Sequence, residues 1–210
     1  MALPETEVRE AIAEQRRDLA GLLEKLPASS WDTPTLCEGW RVREVVAHVT
    51  MPFRYSLPRV MLEVLRSRGR FNRMADRCAR RDAVALSSGD LTASLRDNVD
   101  HPWKPPGGGF EGALSHDVIH GLDITVPLGI DRFVTQERIA LVLQGLSPKN
   151  VAFFGVDLQG VQLRADDLDW TFGSGTPVTG HAQDLLLALC GRTLSADRLQ
   201  GVGSERFTRT

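Results

Sequence analysis

A chain of 210 residues, 42% hydrophobic and 25% charged, has an average globular composition and length enough for one large domain or a bundle with a small appendage. Its formal net charge of -2 gives no electrostatic reason to expect nucleic acid or an anionic membrane as partner, and no apolar run approaches the roughly 18 residues of a bilayer span. Cys37, Cys78 and Cys190 are widely spaced and form no CxxC, which argues against a disulfide framework and a thiolate zinc site.

The first residues carry Glu5, Glu7 and Glu10 and lack the basic-then-apolar pattern of a signal peptide, so a cytoplasmic protein is expected. Residues 5–26 repeat apolar side chains at helical spacing (Val8, Ala11, Ile12, Leu19, Leu22, Leu23) and stop at Pro27. A polar loop with Pro34 and Gly39 leads into a second helix over about 42–68. Its candidate core positions are Val45, Val46, Val49, Phe53, Val60, Leu62 and Leu65. Pro52 and Pro58 lie inside it and should bend it close to His48. Residues 71–81 and 91–99 read as two halves of a third helix, broken around Ser87-Ser88-Gly89. The Pro- and Gly-rich stretch 101–109 must be a loop. Residues 110–128 form the fourth helix and 135–146 a fifth. Beyond them the period changes: 161–165 and 169–172 alternate as a hairpin, 177–179 suits a third strand, and 182–190 a short helix. The expected organisation is a helical bundle over 1–150 and a small α/β domain over 151–210.

His116 and His120 are four residues apart on the fourth helix, so their rings share a face about one turn apart. Two imidazoles so placed suit one metal ion, as in the HExxH helix, but the residue after His116 is Asp117 and not the Glu of that motif. Alone, such a pair is weak evidence, and the incidental reading is the better one. His48, mid-helix among Val45, Val46, Ala47 and Val49, is the natural third ligand; the alternative is a core histidine bonded to a neighbour. His101 and His181 fit surface roles.

The segment Thr35-Leu-Cys37-Glu-Gly39-Trp40-Arg-Val42-Arg-Glu44-Val-Val-Ala47-His48 resembles the signature opening the second helix of the mycothiol-dependent maleylpyruvate isomerase family, a branch of the DinB-like bundles. The resemblance continues through Phe71-Asn72-Arg73, His120-Gly121-x-Asp123 and Leu128-Gly129. In the tail it covers Leu163 to Trp170, Gly173-Ser-Gly175 and Asp184 to Arg192. It implies a mainly α fold: a DinB-like up-down-down-up four-helix bundle followed by a small α/β C-terminal domain. It also implies one divalent ion, usually zinc, and catalysis assisted by a low-molecular-weight thiol such as mycothiol. His48 and His120 match the family's histidines. His116 stands where the isomerase branch often has Glu, which leaves three neutral ligands and a site of stronger Lewis acidity.

The other candidates each carry two readings. Asp123, three residues after His120, either orients a ligand imidazole or caps local backbone, and Glu44, one turn before His48, has the same choice. Tyr55 either lines the site or is core. Arg73, Arg77, Arg80 and Arg81 form a basic face that either meets the carboxylates of a thiol or substrate or is simply solvated; Asn72 lies beside it. Cys37 reads as loop packing, since no local cation or base would activate it, and Trp40 and Trp170 as core anchors. The favoured function is a metal-dependent enzyme in which the thiol attacks an electrophilic small molecule, by S-transfer or thiol-assisted isomerisation. The alternative is a non-enzymatic metal-containing binding or regulatory module; oligomeric state stays open.

Overall fold

The computed structural model describes residues 4–130, 133–146, 151–152 and 154–209. The chain separates into two compact units, Met1–Asp131 and Arg132–Thr210. In the first, α1 (Glu5–Lys25), α2 (Val42–Arg54), α5 (Ser88–Arg96) and α6 (Gly109–Thr125) surround an apolar core. The short α3 (Leu57–Arg66) and the longer α4 (Phe71–Ala85) complete the unit. Helix α1 packs on α5 and α6, and α2 packs on α4, α5 and α6. This is the mainly helical bundle that the sequence predicts. No helix among the described residues is long and apolar enough to cross a membrane.

Helix α2 is buried on nearly every side. Val42, Val45, Val46, Ala47 and Val49 are at most 1% exposed, and each valine so covered contributes roughly 1.5–3 kcal/mol relative to exposure. The break in the third helix falls where Ser87-Ser88-Gly89 placed it. Ser87 caps α5, its hydroxyl accepting from the Asp90 amide at 3.1 Å while the Asp90 carboxylate accepts from the Ser87 amide.

The helix expected over 42–68 is in fact two, with Tyr55 and Ser56 extended between α2 and α3. Pro58 explains the division. At the second position of α3 its missing N–H has no intrahelical partner to lose, whereas in one continuous helix its ring would clash with the Arg54 carbonyl. Pro52 is tolerated inside α2 and deprives the His48 carbonyl of its helical donor. The core assignment of Leu62 and Leu65 is corrected as well: they are 45% and 71% exposed. Helix α3 packs on α4, and the residues covered by the Met51, Tyr55, Met74 and Cys78 cluster are Val60 and Val64.

The second unit begins earlier than the expected boundary near 150, a position outside the described residues. Helix α7 (Gln136–Gln144) belongs to this unit because Ile139, Val142 and Leu143 bury against it, with α8 (Ala182–Leu189) as the helix it packs on. Strand β1 (Val161–Ala165) pairs antiparallel with β2 (Thr171–Gly173), the expected hairpin, and parallel with β3 (Thr176–Gly180) on its other edge. Strands β4 (Leu194–Ser195) and β5 (Leu199–Gln200) follow α8. The sheet order is β2-β1-β3-β5, and β6 (Thr208–Arg209) pairs with β4 separately. Alternation puts Val161, Leu163 and Ala165 on the buried face, under the apolar run Leu185, Leu186 and Leu187 of α8. The return from β2 to β3 needs Gly175: its φ is +135°, and a Cβ there would lie 2.2 Å from the Gly160 backbone.

Candidate metal centre

The mid-helix position of His48 on α2 directs its ring at α6, where His116 and His120 stand one turn apart. The three rings meet with centroid separations of 5.1 Å (His48–His116), 5.0 Å (His48–His120) and 4.7 Å (His116–His120). Each offers one ring nitrogen, and the three nitrogens lie within 4.8 Å of one another. His48 Nε2 faces His116 Nε2 at 3.2 Å. Burial, then the neighbouring His120 and His116, hold the His48 imidazole well below its ordinary pKa, so it is neutral.

Two buried carboxylates fix the rings on α6. His116 Nδ1 lies 2.9 Å from Asp117 Oδ1, and His120 Nδ1 lies 3.0 Å from Asp123 Oδ2. A carboxylate at Nδ1 keeps the proton there and leaves the Nε2 lone pair to point into the cluster. Asp117 is paired in turn with Arg16, whose Nε donates to Oδ2 at 2.7 Å while Nη1 donates to the His101 carbonyl at 2.8 Å. Burial alone would raise the Asp117 carboxyl, but bonding to His116 and the charge of Arg16 outweigh it and hold it below the carboxylate range. On the other side, Cys37 Sγ donates to Asp123 Oδ2 at 3.0 Å. The rings of Trp40 and Trp103 stand 5.2 Å from His48 and 5.0 Å from His116, walling the cluster.

These residues fit a divalent cation. Two ligands of one tetrahedral zinc, each about 2.0–2.1 Å from it, would be about 3.3 Å apart, and the His48–His116 nitrogens are 3.2 Å apart. Three imidazoles within this reach of one another are the donor set that zinc takes. Among the described residues His48 Nδ1 is buried without a hydrogen-bond partner, and the polar neighbour of its ring is His116, at Nε2.

The structure brings Asp123 to His120 as the spacing suggested. Glu44 goes elsewhere: Oε2 accepts from the Arg41 amide at 2.8 Å and Oε1 from the Arg41 guanidinium at 2.6 Å, so this carboxylate caps α2 and does not reach for His48. Tyr55 is buried, and its hydroxyl is committed to Asp82, about 3.0 Å away, and to Arg81. Burial and the Asp82 charge push its pKa up to about 12. Arg77 and Arg81 pair with Glu63, and Arg80 pairs with Asp76, so most of the basic face is engaged within the protein. Asn72 and Arg73 are exposed on the first turn of α4. Trp40 is half-buried rather than a core anchor, its Nε1 donating to Asp76 at 2.8 Å; Trp170, also half-buried, stacks on Phe172.

Sequence reasoning missed Asp117, Arg16 and the contacts of Cys37. Adjacent helical residues do not ordinarily face each other, so Asp117 carried no signal. Arg16 did carry one: it stands four residues after Ile12, in phase with Val8 and Leu19 on the buried face of α1.

Residues 12–103 match the family model described as the mycothiol maleylpyruvate isomerase N-terminal domain. A search of curated proteins finds no match. Among solved structures, the chain is similar to the crystal structure of the mycothiol-dependent maleylpyruvate isomerase, with a TM-score of 0.58 at 13% identity, covering 95% of this chain and 93% of that one. A histidine-to-alanine mutant of mycothiol-dependent maleylpyruvate isomerase matches with a TM-score of 0.51 at 15% identity over the same shares. The resemblance to this family therefore holds on sequence over residues 12–103 and on fold over nearly the whole chain.

Proposed function

We propose that the protein is a metal-dependent enzyme in which His48, His116 and His120 hold one divalent ion, zinc first among the choices, and a low-molecular-weight thiol, mycothiol by resemblance, is the nucleophile. The single observation that carries this reading is the convergence of three imidazoles, two of them backed by buried carboxylates at Nδ1. When bound, such an ion supplies Lewis acidity that favours the thiolate over the thiol and leaves one coordination position open.

The chain's own residues do the rest. Asp117 and Asp123 fix the proton of each α6 imidazole at Nδ1 and its lone pair at Nε2, and Arg16 keeps Asp117 ionised. The rings of Trp40 and Trp103 restrict water beside His48 and His116. Asn72 and Arg73 are exposed polar groups at the head of α4, suited to the carboxylates of a thiol or an acidic substrate. The reaction class this supports is thiol addition to an electrophilic small molecule, ending in S-transfer or in cis–trans isomerisation if the adduct rotates and releases the thiol. The His116 departure separates this site from the isomerase pattern, so maleylpyruvate is one substrate to try among several.

The test is turnover of a panel of electrophiles by zinc-loaded protein with and without mycothiol, beside calorimetry of mycothiol on loaded and metal-free protein. Thiol-dependent turnover, with thiol binding confined to the loaded form, is expected. Equal thiol affinity for both forms contradicts the reading.

A further inference from the structure

We propose that Cys37 is a positioning residue for the histidine cluster, its S–H holding the Asp123 carboxylate that in turn orients His120. Cys37 Sγ lies 3.0 Å from Asp123 Oδ2, the oxygen that is also 3.0 Å from His120 Nδ1. Sγ itself is 3.7 Å from that nitrogen. One carboxylate oxygen therefore gathers two donors, and the thiol is one of them. Asp123 is 0% exposed, and a charge so buried depends on donors for its place as well as its solvation.

The loop before α2 is built to aim this thiol. The Thr35 hydroxyl accepts from the Cys37 amide at 3.2 Å and donates to the Trp40 carbonyl at 2.9 Å. The Thr35 amide donates to the same carbonyl, and the Trp40 amide donates to the Cys37 carbonyl at 3.0 Å. Gly39, at φ +73°, makes the turn that closes this ring of bonds. The loop is then fastened to α6 through the backbone, the Leu36 amide donating to the Asp123 carbonyl at 3.1 Å. With the loop already fixed, directing Sγ at Asp123 costs little further conformational entropy. The same closed loop sets the Trp40 ring against His48, so one short motif, Thr35 to Trp40, supports two of the three histidines.

A thiol suits this place better than a stronger donor. S–H is a weak donor and carries no charge, so it steadies Asp123 while leaving the negative charge directed at His120. An arginine there would neutralise the carboxylate, as Arg16 does for Asp117.

The test compares wild type, Cys37→Ala and Cys37→Ser in two measurements. Its affinity arm rests on the metal reading; its ring-nitrogen arm, done on metal-free protein, does not. Zinc competition against a chromophoric chelator should show Cys37→Ala weaker by on the order of three- to tenfold, below the 10–100-fold typical of a ligand's direct partner. Cys37→Ser, which keeps an O–H donor, should return to within about twofold of wild type, by the same reasoning. Nitrogen NMR of the metal-free proteins should show His120 held as the Nδ1–H tautomer in wild type and Cys37→Ser, and a changed tautomer balance in Cys37→Ala. Identical ring signals in all three proteins overturn the proposal, and so does equal loss of affinity in both variants, which would mark a merely structural loop. If no form binds zinc, the metal reading fails, and the ring signals alone decide the role of Cys37.

Discussion

The two histidines of α6 sit on one helix face and are backed in the same way by a buried carboxylate, yet the surroundings of those carboxylates differ. Asp117 meets a fully buried guanidinium, with both side chains of the Arg16 pair 1% exposed. Asp123 meets a neutral thiol from a loop that is itself only half-buried. The Arg16 side is an ion pair deep between α1 and α6, where it ties the histidine to the core. The Cys37 side is a hydrogen bond at the edge of the bundle, where it ties the histidine to the loop preceding α2. Orientation of a ring and stability of a bundle are thus separable duties. On this molecule the first is shared by both sides, while the second falls mainly to one.

The largest effect should come from breaking the charged side. Arg16→Met leaves Asp117 buried without its cation and should cost about 3–5 kcal/mol of unfolding free energy in urea titration. Cys37→Ala, on the neutral side, should cost about 1 kcal/mol or less. Equal costs would erase the distinction between the two sides.

A second effect bears on orientation. Asp123→Asn replaces the carboxyl beside His120 by an amide and should weaken zinc binding about 10–100-fold with a small change in stability. Zinc affinity unchanged in that variant would mean that His120 needs no partner at Nδ1.

The third contrast sets the histidine cluster against the ionic network around Tyr55, where titration rather than metal is the probe. The protein has a single tyrosine, so ultraviolet absorbance reads it alone. Its folded pKa is raised to about 12, against about 10 in an unfolded chain. The protonated hydroxyl is the form the fold favours, so the stability it contributes is full below about pH 10 and is lost as pH rises toward the folded value. A phenolate appearing near pH 10 in the folded protein would contradict the buried Tyr55–Asp82 arrangement.

The smallest effect is at the acid end. Bonding to Arg81, together with the charges of Arg77 and Arg66, lowers the Glu63 carboxyl from its ordinary 4.5 despite its burial. Its contribution is therefore present above that pH and disappears as pH falls through the folded value. Glu63→Gln should flatten that part of the acid limb of the stability curve, modestly, because its arginine partners are partly exposed and screened. An unchanged acid limb would show that this carboxylate contributes nothing through its charge.

Much of this architecture is legible in the residues. The helical period of 5–26, the loop marked by three consecutive glycines and the switch to period two at 161–172 each appear where the pattern puts them. The division of the second helix was less legible, since two prolines six residues apart act differently: Pro52 is tolerated and Pro58 starts a new helix. The three histidines could be grouped from helical spacing plus one mid-helix position. Their supports could be read only in part. Asp123 lies at the i+3 spacing that a helix makes meaningful, whereas Asp117 adjoins its histidine, and Arg16 and Cys37 reach the site across 101 and 86 residues of sequence. No local pattern records such long-range pairings. Glu44 and Tyr55 show the converse, with sound spacing but side chains claimed by Arg41 and by Asp82.

The central claim is that His48, His116 and His120 hold one ion, and the metal content of three purified proteins tests it most directly. Elemental analysis should find one equivalent of divalent metal in wild type and little in His120→Ala, which loses a ligand outright. His116→Glu should retain metal, because a carboxylate oxygen can occupy the position of the imidazole nitrogen. A full equivalent of metal in His120→Ala, or none in any of the three, would contradict the assignment and remove the foundation of the enzymatic reading.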